Sequence, residues 1–246
     1  MIGSKRGLVT TGVLTLVLGV IIMFPARVAI EWFVPAEIPV SGIKGSVWSG
    51  SANEAAINGV YLQGIHWSLN ALRLFTGELS YSVEATPVSG FFESDISIGF
   101  TGALNLSNLS AAFPLEQFAS ASGLRGLQGK ASLSFERVEI VDGLAIAADG
   151  TAQVSDLLVP IISRDYLGSY KAEFFTQNNG IAASVEDTDG VLGLAGSLQV
   201  RADRSYEFIG QVVAKPDTPE NLRQQLRFLP PANDRGQQEV RLEGIL

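Results

Sequence analysis

The chain of 246 residues has no cysteine, a single histidine and few charged side chains, which make up 17% of the residues. The absence of cysteine excludes disulfides, thiolate metal sites and thiol nucleophiles. The net charge of −8 at pH 7 argues against a nucleic-acid partner, because phosphate binding needs a concentrated basic surface. Hydrophobic residues reach 46%, so the chain has ample material for a folded core.

Signatures of catalysis are also missing from the sequence. His66 alternates with Ile65 and Trp67, so we expect it on the polar face of a strand, in contact with water. The sequence contains no HExxH, GxSxG, P-loop or dinucleotide fingerprint. We therefore predict that the protein is not an enzyme and has no catalytic, cofactor-binding or metal-binding residues.

Acidic residues cluster in two places, Glu136, Glu139 and Asp142, and Glu186, Asp187 and Asp189. The run Asp187-Thr-Asp189-Gly190 resembles the start of a calcium-binding loop. A calcium loop needs a later acidic ligand, but position 198 is leucine. The run therefore predicts a turn.

The amino-terminal part contains a long uncharged segment, residues 7–24. As a helix it would be roughly 27 Å long, close to the roughly 30 Å thickness of a bilayer core. We predict a transmembrane helix over residues 7–26, with residues 1–6 in the cytoplasm because Lys5 and Arg6 precede it. Residues 27–246 would then form a periplasmic domain, with Trp32 and Phe33 at the membrane surface.

A cleaved secretory signal is the alternative reading of this segment, since its basic start and apolar stretch look similar. The available cleavage sites fit poorly. Phe24-Pro25-Ala26 has a bulky residue where a small one is needed, and Val34-Pro35-Ala36 lies well beyond the apolar run. The sequence favours a retained anchor.

After Pro39 the apolar residues repeat with period two, which is typical of strands with one apolar and one polar face. The pattern extends over residues 79–85, 96–106, 131–140 and 192–202, and its phase changes near 136–137, where we predict a bulge. Turns are predicted at Asp142-Gly143, Asp149-Gly150, Asn178-Asn179-Gly180, Asp189-Gly190 and Asp203-Arg204-Ser205. The fold class is therefore mainly β: a transmembrane helix followed by a long, curved, antiparallel meander of about ten to thirteen strands.

One or two short helices are expected to interrupt the meander. In one of these helices, Thr218 would be the cap, Pro219 would occupy the first helical position, and a leucine stripe would pack on the sheet. Pro114 starts a weaker helical segment that Gly123 ends.

Two features concern small residues beside aromatic rings. A motif of an apolar residue, any residue, glycine, any residue and an apolar residue recurs around Gly102, Gly196 and Gly210, where glycine allows a bulky neighbour to lie across the sheet.

Trp48 stands in the run GSVWSGSA, and its same-face neighbours Ser46, Gly50 and Ala52 are small. We expect the indole to pack over them and to meet Trp67 across the sheet.

These segments resemble a known family. The basic start and apolar span, GIKGSVWSGSA, GIHWSLNALRLFTGELSYSVEA and the closing hairpin with its helix, DTDGVLGLAGSLQVRADRSYEFIGQVVAKPDTPENLRQQLRFLP, are similar in order and content to protein N of the bacterial type II secretion system. Residues 108–128 and 155–170 contribute nothing to this resemblance. It implies an inner-membrane component that supports export of folded proteins, with other secretion subunits as partners and no catalytic residues.

Two alternatives remain at the level of sequence. The body is also similar to the curved sheets of AsmA-like envelope proteins, in which case the apolar face would line a groove for lipid. An envelope hydrolase is the third and least supported reading.

Overall fold

The structure is a computed structural model and describes residues 2–35, 38–57, 60–87, 89–99, 102–119, 124–177 and 180–245. Helices are α1 (Ile2–Ile22), α2 (Ala26–Phe33) and α3 (Glu220–Leu226), and two 3-10 turns cover Arg73–Thr76 and Leu115–Phe118. The strands are β1 (Val40–Ser41), β2 (Lys44–Gly45), β3 (Ser49–Ile57), β4 (Val60–Leu69), β5 (Leu79–Pro87), β6 (Phe91–Ile98), β7 (Leu104–Pro114), β8 (Gln128–Val141), β9 (Leu144–Leu158), β10 (Gly168–Gln177), β11 (Gly180–Asp187), β12 (Leu192–Arg201), β13 (Ser205–Ala214) and β14 (Gln238–Ile245).

The strands form one 14-stranded antiparallel sheet in which, from β3 to β14, each strand pairs with the next along the chain. Strands β1 and β2 both pair with β3 at one edge, and β14 forms the opposite edge, so the sheet stays open. Short connections between successive strands leave only antiparallel neighbours within reach, which produces the meander. The prediction of a mainly β meander is confirmed, and the structure contains more strands than the sequence pattern separated.

The predicted strand patterns correspond to observed strands with one correction. The run from Ile96 to Leu106 is a hairpin, because β6 ends at Ile98 and Gly102, with a φ of 79°, turns the chain into β7. Phe100 and Thr101, which belonged to the predicted run, lie outside the described residues. The bulge expected near 136–137 is confirmed by a register shift between Phe135 and Arg137.

Most predicted turns connect strands, but Asp149-Gly150 does not. It lies inside β9, where Gly150 pairs with Phe135 on one side and with Phe174 on the other. A Cβ at Gly150 would overlap the backbone of Ser134 and Phe135 and come within 2.8 Å of the Phe135 ring, so the glycine lets this part of β8 lie close instead of forming a turn. The turns at 142–143, 189–190 and 203–205 are confirmed, whereas Asn178 and Asn179 lie outside the described residues.

The glycine motif has the expected packing role in the last strands. Gly196 and Gly210 are direct cross-strand partners on β12 and β13. The ring of Phe208 lies against both, and a Cβ on either glycine would come within 2.8 Å of it. Glycine therefore lets an aromatic ring lie across the sheet at this point.

The leading helical segment is broken. Helix α1 ends at Ile22 and α2 begins at Ala26, whereas the sequence predicted one helix over 7–26. Pro25 explains the break, because a proline disfavours helical backbone in the residue before it and suits a helix start. Within the described residues, no helix reaches the combined length and hydropathy of a membrane span.

Helix α3 packs at the far end of the sheet. Its Leu222, 2% exposed, joins Leu127, Val159 and Leu167 in a buried cluster. Thr218 does not cap the helix as predicted, because its hydroxyl donates a hydrogen bond to the carbonyl oxygen of Val191. Of the weaker predicted helix, the described residues contain the 3-10 turn Leu115–Phe118, whereas residues 120–123 lie outside them.

Candidate functional site at the helix–sheet junction

The loop 45–49 joins the end of helix α1 to the sheet. The indole Nε1 of Trp48 donates a hydrogen bond of 2.7 Å to the carbonyl oxygen of Ile21. The backbone N–H of Val47 donates to the carbonyl of Phe24 at 3.0 Å, and Pro25 forms a β-bridge with Ser46. Ile21 belongs to the last turn of helix α1 and Phe24 follows the helix, so this loop bonds to the helix end and to the segment just beyond it and links both to the sheet.

Trp67, and not Trp48, lies over the small residues. Its ring on β4 contacts Gly50, the cross-strand partner of Trp67, so tightly that a Cβ at Gly50 would overlap it. Its Nε1 donates a hydrogen bond of 3.2 Å to the carbonyl of Ser46. The prediction for Trp48 was therefore wrong in its partner, and the ring contacts of the described residues do not include a Trp48–Trp67 pair.

An apolar groove opens beside this junction, between helix α2 and the apolar face of β4–β6. It has a volume of about 300 Å³, and its walls include Ala29 and Ile30 on the helix and Trp67, Tyr81, Val83 and Ile96 on the strands. Burial raises the pKa of the Tyr81 hydroxyl. The groove offers almost entirely apolar walls, a lining typical of sites for apolar ligands.

A larger cleft of about 640 Å³ lies between α2 and the segment leading into β1. Its lining includes Arg27 and Glu31, which form an exposed ion pair at 3.4 Å. Exposed pairs of this kind add little stability. The cleft is larger than the groove, but its charged rim makes it less suited to an apolar ligand.

A polar network links strands β11 and β12 to the end of β13 at the opposite end of the sheet. The Nζ of Lys215 contacts Oδ2 of Asp187, and Oδ1 of Asp187 accepts a hydrogen bond of 2.8 Å from the backbone N–H of Leu194. Burial alone would raise the pKa of Asp187, but the hydrogen bonds from Lys215 and Leu194 outweigh it and hold that pKa below its ordinary value. Burial, followed by the nearby Asp187 charge, raises the pKa of Tyr170, whose hydroxyl donates to the carbonyl of Leu167 at 3.0 Å.

A second carboxylate is held on β6. Asp95 accepts hydrogen bonds from the hydroxyl of Ser82 and, at 3.0 Å, from the side-chain amide of Asn108. These two bonds lower the pKa of Asp95. Asn108 has a φ of 53°, a left-handed conformation that asparagine tolerates, at a register shift between β6 and β7. The arrangement ties three strands together.

The residues that sequence analysis examined for chemistry do not converge. His66 is exposed on β4, as predicted. Glu139 pairs with Arg137 at 3.3 Å, and Asp187 bonds Lys215. In the part of the chain that the structure describes, no three histidine or acidic residues are grouped so that they would hold a metal ion. The Trp48–Ile21 contact was not foreseen, because nothing local in GSVWSGSA indicates a partner 27 residues away.

The fold defines a class of protein in which leading helices are joined through the loop 45–49 to an open antiparallel β-meander. The family model for type II secretion system (T2SS), protein N, matches residues 36–241, and the chain belongs to that family. The match includes residues 108–128 and 155–170, which carried no recognisable motif. Membership assigns the chain a role in type II secretion, in the bacterial envelope.

A relative from Vibrio cholerae serotype O1, the type II secretion system protein N of that organism, is 22% identical over 241 residues. The alignment covers 94% of this chain and 94% of the relative. No solved structure matches significantly. The two chains therefore correspond over nearly their full lengths.

Proposed function

We propose that the protein is a non-enzymatic component of the type II secretion machinery that supports export of folded proteins through contacts with other secretion subunits. The family match over 36–241 carries this proposal. The non-enzymatic part of the proposal is supported by the partners of three acidic residues in the described part of the chain: Asp95 accepts a hydrogen bond from Ser82, Asp187 accepts one from the backbone of Leu194, and Glu139 pairs with Arg137.

We propose further that residues 7–26 anchor the chain in the inner membrane, with residues 1–6 in the cytoplasm and 27–246 in the periplasm. The uncharged run 7–24 and the basic pair Lys5 and Arg6 support this orientation. Helix α1 also exposes its large aliphatic side chains, such as Val9 and Leu16, which water would disfavour. The junction at Trp48 would place the sheet directly at the membrane surface.

Crosslinking in intact envelopes tests the contacts. A photo-crosslinking residue at Glu173, exposed on the polar face of β10, should capture other type II secretion subunits. The matched control is the adjacent Phe174, whose ring contacts Phe135 on the opposite face and should capture nothing. Capture of only unrelated envelope proteins from Glu173 and other polar-face positions would contradict the proposal.

Sequencing the amino terminus of the protein recovered from membranes tests the anchor. The proposal expects residues 1–30 to be retained. A mature chain that lacks them, or a carboxyl-terminal reporter that is active in the cytoplasm, would contradict the proposed placement.

A lipid-binding role is the second candidate function, and the apolar groove beside α2 favours it. An acyl chain would find contact with Ile30, Trp67 and Val83 there. Mass spectrometry of the purified full chain should then detect copurifying lipid. Ala29→Trp, which fills the groove, should remove the lipid, whereas Arg27→Trp, on the exposed side of the same helix, should leave it. Absence of lipid from the unaltered chain would reject this role.

A further inference from the structure

The two edges of the sheet are built differently. One edge consists of the short strands β1 and β2, two residues each, which pair with β3. The other edge is β14, eight residues long, and in the described part of the chain only β13 pairs with it. Short edge strands are a common protection against pairing with another chain. A long edge strand keeps a row of backbone N–H and C=O groups available for a further strand.

An apolar row of direct cross-strand partners ends at this long edge. The row begins on β7 and continues strand by strand through Leu109, Phe135, Gly150, Phe174, Ala183, Leu198, Phe208 and Leu242. Ala183 inside the row is 1% exposed, whereas Leu242 at its end is 56% exposed. The row therefore stops with a large side chain that has a packed neighbour on one side only.

The other face of β14 carries charges of alternating sign. Glu239, Arg241 and Glu243 follow each other at period two. Glu207 on β13 is the direct partner of Glu243, and Arg241 lies between them, in contact with Glu207 at 2.5 Å and with Glu243 at 3.7 Å. Glu243 stays largely exposed, so it can accept a second cation from beyond the edge.

We propose that β14 pairs with β14 of a second copy of this chain, antiparallel, with the two Leu242 residues facing each other at the two-fold axis. This register pairs residues 239–245 of both strands and places Arg241 of each copy opposite Glu243 of the other. Opposite charges at directly facing positions stabilise antiparallel pairs. The apolar row then continues from one copy into the next through Leu242.

Competing registers fit less well. Centring the pair on Arg241 or on Glu243 brings like charges face to face, which is unfavourable. Centring it on Val240 also matches arginine with glutamate, but pairs only residues 238–242 within the strand. The register centred on Leu242 combines charge matching with the longest pairing.

The charges themselves favour a second copy over simple protection of the edge. Edges that are protected from pairing often carry charged side chains, especially lysine, and two copies of an edge with charges of one sign would repel each other. The alternating signs on β14 make an antiparallel pair of identical strands attractive. A two-fold dimer of this kind is also the commonest symmetry of homo-oligomers.

Disulfide crosslinking tests the register. Because the chain has no cysteine of its own, an introduced cysteine has no other thiol in the chain to pair with. Leu242→Cys in the full-length chain, in intact envelopes under mild oxidation, should form a covalent dimer of twice the monomer mass. Facing Cβ atoms in such a pair lie about 4.5 to 5.5 Å apart, close to disulfide range. Val240→Cys, on the same face of the same strand, is the matched control, because its two copies would be about 14 Å apart along the strands.

A charge variant tests the pairing without relying on cysteine. Glu243→Lys removes both the like-charge pair with Glu207 and the exposed contact with Arg241 inside one chain, and it places lysine opposite Arg241 of the second copy. Exposed ion pairs add little stability, so the thermal stability of the monomer should change little. The dimer dissociation constant, measured by sedimentation in detergent, should rise about tenfold.

The outcomes separate clearly. Fast dimer formation by Leu242→Cys, slow formation by Val240→Cys and weaker association of Glu243→Lys support the proposal. Three results would overturn it: faster crosslinking at Val240, no crosslinking at either position, or crosslinking of Leu242→Cys to a protein of different mass. None of these bears on the secretion role, which is tested by its own experiments.

Discussion

The indole of Trp48 donates a hydrogen bond to the carbonyl oxygen of Ile21, and this single contact connects the end of helix α1 with the first hairpin of the sheet. The backbone contacts between Val47 and Phe24 and between Ser46 and Pro25 surround it. The junction therefore links the β body to the end of the leading helix.

Trp48→Phe keeps an aromatic ring but removes the N–H donor. We expect a loss of about 0.5 to 1.5 kcal/mol in the stability of the junction, the usual contribution of one hydrogen bond. Limited proteolysis between residues 22 and 26 should become faster, while the melting of the sheet changes little. Trp32→Phe is the control, since the contact of Trp32 is a ring contact with Phe24 that phenylalanine can retain. Equal proteolysis of both variants would show that the hydrogen bond does not hold the junction.

Gly50→Val tests the packing beneath Trp67. A side chain at this position would overlap the indole and come within 2.6 Å of the carbonyl oxygen of Lys44. We expect a decrease of about 1 to 3 kcal/mol in the free energy of unfolding, typical of overpacking. Ser51→Val, one residue along and on the other face, should be nearly neutral. Equal stability of the two variants in urea unfolding would contradict the close packing of Trp67 on Gly50.

Leu222→Ala should loosen the far end of the sheet. Leu222 is 2% exposed in the cluster with Leu127, Val159 and Leu167, and truncating a leucine in such a site costs about 2 to 5 kcal/mol. The control is Phe228→Ala, because that ring is 90% exposed just after the same helix. Hydrogen exchange should increase around α3 in the first variant only. Comparable exchange in both would mean that the cluster contributes little.

Asp187 makes the far end sensitive to acid. Its pKa in the folded chain lies below the ordinary value of 3.8, so its contribution is complete above that value and is lost as the pH falls through the lower folded pKa. Asp187→Asn should therefore cost about 1 kcal/mol at pH 7. The difference from the unaltered chain should shrink below pH 3.8.

Urea unfolding of both chains between pH 7 and pH 3 measures this difference. Asp217→Asn, an exposed carboxylate near Lys215, serves as the control and should follow the unaltered chain at every pH. A constant difference for Asp187→Asn over the whole range would exclude the ion pair with Lys215 as its cause.

Local patterns predicted much of the fold. Period-two alternation located strands such as β5 and β12, and the change of phase at 136–137 located the bulge. Both were predictable because successive side chains of a strand point to opposite faces of the sheet. The prediction of a turn at Asp149-Gly150 was wrong, because this dipeptide can form a turn between strands or make room for a neighbouring ring inside a strand. The distinction depends on Phe135 in another strand, which local sequence does not reveal.

The candidate site was less predictable for the same physical reason. Small residues around Trp48 indicated a ring packed over them, and a ring is packed there, but it belongs to Trp67 on the partner strand. The register between β3 and β4 decides which indole covers Gly50, and register is a property of the pair. The bond from Trp48 to Ile21 depends in addition on where Pro25 ends helix α1.

Export itself tests the proposed secretion role most directly. A type II substrate should be measured in the medium and in the periplasm of cells that lack this protein, with and without a plasmid that restores it. We expect the substrate to accumulate in the periplasm of the deletion strain and to return to the medium on complementation. Unchanged export, together with unchanged levels of the other secretion subunits, would contradict it.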